Sequence, residues 1–290
     1  MDWMRKPSGE HLQSREKNGV RYLTFPALER TGMVRHSFST RVGGASTGIF
    51  STMNFGYTRG DDPAHVTENY RRMADILGVE MERMVLSWQT HTTNVRVVTE
   101  ADAGKGIVRE RDYRDVDGMI TDVPGITLVT FYADCVPLYL LDPVHRAIGL
   151  SHSGWRGTVN RMGQVTLAAM AREYGTRPED VIACIGPSIC QDCFEVGEEV
   201  VAEFAAEFDA RCHAELFYRK ENGKYQLDLW RANQLVFLEA GVPEAQIHTT
   251  DICTRCNPEL LFSHRKAGTE RGNLSAFLCL DDPEQEHRKA

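Results

Sequence analysis

The chain lacks the features that mark several whole classes of protein. Eight cysteines in 290 residues are too sparse for a disulfide-stapled secreted scaffold. The N-terminal stretch MDWMRKPSGEHLQSREKNG has no apolar core, so it does not read as a secretory signal. No apolar run approaches the roughly 18 residues of a membrane span. The longest candidate, from Val123 to Leu141, is cut by Asp134 and carries two prolines. A basic excess is missing too: 33 Lys and Arg stand against 41 Asp and Glu, a net charge of -8. That balance argues against a general nucleic-acid or membrane-surface binder. Internal repeats, low-complexity tracts and complete GxGxxG or P-loop patterns are all absent. The expected location is therefore a reducing cytoplasm with free thiols, some of them candidate metal ligands.

What is present is a globular composition, 42% apolar with 24 glycines. A chain of this length buries about three quarters of its unfolded surface and needs no metal or disulfide merely to hold a core. Strands are expected at 21–25, 34–40, 84–88, 95–98, 127–132, 136–141, 147–151, 181–185, 246–250 and 275–280. Asp62-Pro63 opens a helix whose apolar face is Val66, Asn69, Tyr70, Met73 and Leu77, closed by Gly78. Thr158 is expected to cap a second helix, and 198–208 and 230–240 read as two more. The elements alternate without a clear linker, which predicts one α/β unit, residues 21–282, with mixed sheets flanked by helices. Residues 1–20 read as a mobile arm and 283–290 as a polar tail.

Chemistry concentrates at strand ends. Gln89-Thr90-His91, Asp134-Cys135-Val136-Pro137 and His152-Ser153-Gly154-Trp155-Arg156-Gly157-Thr158 each follow a buried run. Polar residues at such ends are where α/β proteins build sites. One Cys and two His suit Zn2+ or copper, with a fourth position left for water or substrate. The same residues also read as a Cys135–His152 nucleophile–base pair, or as packed thiol and imidazole. Arg156 beside glycines and a helix start would suit a phosphate. From this segment alone, the favoured reading is a surface arginine at an ordinary turn into a helix. Arg41 and Ser46, in a loop of small residues, would suit an anion or sugar hydroxyls. Two C-x-x-C pairs, Cys190/Cys193 and Cys253/Cys256, lie 59 residues apart. That gap far exceeds the spacing of compact zinc ribbons, so the pairs are expected not to share a metal.

Taken together, the motifs resemble the laccase-domain family, known both as multicopper polyphenol oxidases and as purine nucleoside phosphorylases. The resemblance is carried by HSFSTRVGGAS (36–46), MNFGY (53–57), DDPAHVTENYRR (61–72), QTH (89–91), ADCVPLYLLDP (133–143), HSGWRGT (152–158), IGPSIC (185–190), FEVG (194–197) and FSHR (262–265). It implies a layered α/β sandwich, distantly similar to a toxin domain with a Cys–His pair. It also implies one metal on His91, Cys135 and His152, Zn2+ or Cu2+. The implied activity is phosphorolysis of adenosine, inosine and methylthioadenosine, with adenosine deamination beside it. Partners on that reading are purine nucleosides and inorganic phosphate. Asp134 is then the candidate acid/base or the partner that orients a ligand His, and Arg156, Arg41 and Arg265 are candidate phosphate or sugar donors. Two positions depart from the family pattern: His264 where an aromatic is common, and Thr92 where Gly often follows the metal His. A four-copper laccase needs about ten His and Cys ligands in paired motifs. This chain has ten His in all and no H-x-H pair, so copper would share the single His/Cys/His set. A copper-binding polyphenol oxidase and a Cys–His hydrolase remain the alternatives.

Overall fold

Nearly continuous apolar runs become the central strands, and amphipathic runs become the helices that cover them. The computed structural model describes residues 2–7 and 9–282. In chain order its strands are β1 Gln13–Lys17, β2 Val20–Thr24, β3 Val34–Ser39, β4 Met84–Leu86, β5 Val95–Val97, β6 Gly118–Thr121, β7 Thr127–Tyr132 and β8 Val136–Asp142. Then follow β9 Ala147–Ser153, β10 Ile182–Ile185, β11 Glu195–Val196, β12 Phe217–Arg219, β13 Tyr225–Leu227, β14 Ile247–Thr249 and β15 Leu274–Leu280. Two six-stranded sheets form, ordered β1-β2-β3-β15-β7-β4 and β14-β10-β8-β9-β6-β5, with a small sheet β11-β13-β12. Most neighbours are antiparallel, but β4 and β7, β10 and β14, and β5 and β6 run parallel. No helix among the described residues is long and apolar enough to cross a membrane.

The layers follow from the two-residue period of each strand. In β7, Leu128 and Tyr132 enter the core between the two large sheets with Tyr139, Ile148 and Leu278. Val129 and Phe131 point the other way, to Val66, Tyr70 and Met73 of helix Pro63–Leu77. On the far face, Leu140 and Ala147 meet Leu167, Met170 and Phe237 from helices Met162–Tyr174 and Leu229–Glu239. Each such large side chain contributes roughly 1.5–3 kcal/mol by leaving water. The result is a helix–sheet–sheet–helix sandwich, the mixed α/β architecture expected. Helix Pro63–Leu77 also starts and stops as expected: the Asp62 side chain accepts from the Ala64 N–H, and Gly78 is left-handed at φ 67°.

Three expectations need correction. Thr158 is not a helix cap. A short helix, Trp155–Val159, starts at Gly154, and the Thr158 hydroxyl donates back to the Gly154 carbonyl at 3.0 Å. The longer helix begins only after Arg161, which is left-handed. The described residues of the expected arm, 2–7 and 9–20, are tied to the rest of the fold. Asn18 and Gly19 both take positive φ (53° and 76°), the two-residue turn that closes a hairpin, and β1 pairs with β2 along its whole length. Met4 and Asn257 exchange two hydrogen bonds, of 2.8 and 3.0 Å, and Arg5 pairs with Asp251. The expected polar tail, 283–290, lies outside the described residues.

The third correction concerns the C-x-x-C pairs, which do converge. β10 and β14 lie side by side in parallel, with Ile185 opposite Thr249, and a bridge between Ser188 and Cys253 continues the pairing past both strands. The turns that follow are therefore adjacent in space whatever the length of chain between them. Sulfur atoms of Cys190, Cys193, Cys253 and Cys256 all fall within 4.8 Å of one another.

Candidate active site and metal centre

Two loops and the end of a strand bring His91, Cys135 and His152 together. After β4, the Gln89 side chain is clamped against the end of β7. Its Oε1 accepts from the Phe131 N–H at 2.6 Å and its Nε2 donates to the Phe131 carbonyl at 2.8 Å. The chain then turns through His91 at φ 66°. Cys135 sits in the tight connection from β7 to β8, just after Asp134 at φ 95°. His152 is carried on β9, paired opposite Pro137 of β8. One ligand atom from each of the three lies within 4.8 Å of the others, and the two imidazole centroids are 5.0 Å apart. Gly154 makes this approach feasible. A Cβ there would stand 3.0 Å from the Cys135 Sγ and 3.2 Å from the His91 ring.

Asp117 organises the cluster, and sequence reasoning missed it. It is fully buried at the entry to β6. Its Oδ1 accepts from His152 Nδ1–H at 2.8 Å and from the His91 N–H at 3.1 Å. Its Oδ2 accepts from the Thr90 and Thr92 N–H groups and from the Thr92 hydroxyl at 2.9, 3.0 and 3.1 Å. Thr92 thus adds a bond that glycine would not make. The available signal was an acid between Val116 and Gly118 at the start of a buried strand, which must find partners to be buried at all. Burial pushes the Asp117 carboxyl up, yet His152 and the backbone donors outweigh it and hold it below the usual range. With Nδ1–H committed to Asp117, His152 turns Nε2 outward, the arrangement common to metal-binding histidines once that nitrogen gives up its proton. Burial also pushes the Cys135 thiol up, but His152 and His91 bring it down, favouring thiolate. Burial draws the His152 imidazole down, but Cys135 and Asp117 outweigh it and raise it to about 9, so without a metal the ring is protonated beside the thiolate. The donor set, its spacing and its second layer of bonds fit one borderline transition metal.

The cluster opens into a cavity of about 370 Å3 lined also by Tyr57, Trp88, Phe131, Arg59, Arg111 and Arg271. That volume lies in the range of small-molecule sites. Among the described residues, no Asp or Glu lines it. Arg111 stacks on the Trp88 ring at 4.5 Å. Arg271 is largely buried, its Nε has no hydrogen-bond partner among the described residues, and burial with neighbouring Arg59 lowers its pKa to about 10. The cavity therefore joins aromatic faces to a concentrated positive charge.

The remaining sequence candidates are not among the residues that line this cavity. Arg41 donates to the Ser51 and Pro258 carbonyls and stacks on Phe262. The Ser46 hydroxyl accepts from Asn69. Arg265 donates to the Glu195 carbonyl and stacks on Phe194. Arg156 is exposed over the Trp155 ring. Asp134 accepts from the Thr254 hydroxyl and the Arg265 N–H, both at 2.6 Å, so its carboxylate fastens two loops. The carboxylate that bonds the His152 ring is that of Asp117.

Residues 35–281 match the family model described as multi-copper polyphenol oxidoreductase laccase. A "Purine nucleoside phosphorylase" of Bacteroides thetaiotaomicron is 37% identical over 263 residues, covering 90% of this chain and 96% of that protein. "Adenosine deaminase RL5", from an unknown prokaryotic organism, is 38% identical over 216 residues, covering 73% and 81%. Among solved structures, YlmD from Geobacillus stearothermophilus superposes with a TM-score of 0.85 at 32% identity, covering 93% of this chain and 99% of that one.

Proposed function

The chain belongs to the multi-copper polyphenol oxidoreductase laccase family, and from that premise and the chemistry of its cavity we propose that it cleaves purine nucleosides with inorganic phosphate. One observation carries the reading: three arginines and, among the described residues, no carboxylate face a cavity that also offers aromatic walls beside the His91, Cys135 and His152 cluster. Phosphate carries the charge that such guanidinium groups bind in paired hydrogen bonds. Trp88, Phe131 and Tyr57 give a purine flat faces to lie against. In phosphorolysis the bond from ribose C1′ to the purine nitrogen breaks, its electron pair leaves with the base, and a phosphate oxygen bonds C1′. Arg59, Arg111 and Arg271 would hold the phosphate against C1′ as positive charge develops there.

His91, Cys135 and His152 would hold a single Zn2+ or copper ion, which supplies Lewis-acid polarisation when bound. Asp117 fixes the ring of His152 and, through backbone bonds, the loop of His91. Without metal, Cys135, His152 and Asp117 stand in nucleophile, base and orienter order, which supports a second reading as a Cys–His hydrolase. His91 as a second nitrogen donor on the same sulfur favours the metal. Among the described residues the only groups of three or more candidate ligands within 4.8 Å are this one and the four cysteines. The histidine groupings of a four-copper oxidase are thus not formed there. Adenosine deamination, the activity named in one relative, would have to proceed without a carboxylate from the described residues on the cavity wall.

Product analysis separates these chemistries. Inosine should yield hypoxanthine and ribose 1-phosphate only when phosphate is supplied. Free ribose formed regardless of phosphate would mark a hydrolase. Inosine formed from adenosine without phosphate would mark a deaminase, and oxygen uptake with phenols an oxidase.

A further inference from the structure

The four cysteines between the ends of β10 and β14 play no part in the cavity, and their geometry is that of a second metal centre. We propose that Cys190, Cys193, Cys253 and Cys256 bind one Zn2+ as a structural tetrathiolate site. All four sulfurs lie within 4.8 Å of one another. A tetrahedral zinc with bonds of about 2.3 Å requires sulfur–sulfur edges of about 3.8 Å. The Cys193 and Cys256 sulfurs are 3.5 Å apart, close to that edge, and all four cysteines are free of disulfides.

The surroundings are built for thiolates. The Cys190 N–H donates to the Cys253 Sγ at 3.3 Å. Arg255 donates to the Cys193 Sγ at 3.4 Å from the turn between two of the ligands. Lys6, held by Asp192 at 2.7 Å, adds a second positive charge near Cys190 and Cys256. Zinc with four thiolates carries a net charge of two minus, which these cations offset. A single redox-active pair would need only two of these sulfurs; the convergence of all four is what a metal requires.

Its place in the fold gives the site a task. The chain between the two C-x-x-C turns carries helix Glu198–Glu207, the small sheet and helix Leu229–Glu239. Binding at both turns would close this excursion at its base. Asn257, one residue past Cys256, also holds Met4, so the same staple would fix the N-terminal segment.

The test uses full-length protein purified without chelator and supplied with Zn2+. A His91→Ala/Cys135→Ala/His152→Ala variant should keep one zinc per chain by elemental analysis. Adding Cys193→Ser and Cys256→Ser should abolish it. Should that last variant fail to fold, wild-type protein gives the answer by thiol footprinting. The four cysteines should resist iodoacetamide while zinc is bound and become reactive together as it is stripped. Cobalt substitution of the three-site variant should give intense sulfur-to-cobalt charge transfer. The proposal is overturned by a three-site variant that carries no zinc, by a disulfide mapped among the four cysteines, or by equal alkylation with and without metal.

Discussion

At the scale of single residues, the site depends on two positions that bind no substrate. Asp117 spends both oxygens on the His152 ring and on the 90–92 loop. Asp117→Asn would leave the ring and the loop with a mismatched donor. Partners of this kind are worth about 10- to 100-fold in metal affinity when mutated. A zinc competition titration should therefore show binding weakened by about that factor, and unchanged affinity would contradict the role. Gly154 matters for what it lacks. Its Cβ position, 3.0 Å from the Cys135 Sγ, cannot hold a branched side chain without moving a ligand. Gly154→Val should keep the circular dichroism of the wild type yet lose at least half of the metal held by the His91 cluster. A full complement measured by elemental analysis would show that the loop yields instead.

At the scale of elements, the strand period fixes most of the fold, and β3 adds a titrating group. His36 on β3 is buried, and its Nε2 accepts from the Phe25 N–H at 2.8 Å, so it is held neutral. Burial lowers its pKa to about 4. The folded value lies below the unfolded one, near 6.5, so stability from this group is complete above 6.5 and is lost as pH falls through 4. The loss over that window amounts to roughly 3 kcal/mol. Urea unfolding of wild type and His36→Gln across pH 7 to 4 should show a flatter pH dependence in the variant; parallel curves would refute the assignment. Strands such as β7 and β15 were legible because continuous apolar runs leave little choice but a doubly covered strand. The hairpin of β1 and β2 was also written in the sequence, as Asn18-Gly19, but the polar strand β1 gave no burial pattern to support it. The Thr158 cap misled because a hydroxyl can bond a carbonyl behind it as readily as an N–H ahead.

At the scale of the whole molecule, the residues of the His91, Cys135 and His152 cluster were readable and the cavity was not, for a physical reason. His91, Cys135 and His152 each follow a buried run, so local pattern places them at strand ends. Arg59, Arg111 and Arg271 lie in three segments far apart in sequence, and only the tertiary fold turns them toward one space. Arg156, close in sequence to His152, was favoured by proximity, yet its side chain lies outside, over Trp155. The same blindness to tertiary adjacency separated the two C-x-x-C pairs, because parallel β10 and β14 erase the distance between them. The central claim is that this arginine-lined cavity holds the attacking phosphate. It is tested most directly by the initial rate of hypoxanthine release from inosine against phosphate concentration, in wild type, Arg271→Ala and Arg156→Ala. A charged hydrogen bond is worth about 1.5–3 kcal/mol. The rate should thus vanish without phosphate and saturate with it, with the phosphate KM raised about 10- to 100-fold in Arg271→Ala and unchanged in Arg156→Ala. A wild-type rate that ignores phosphate, or an Arg271→Ala curve that overlays the wild type, would contradict it.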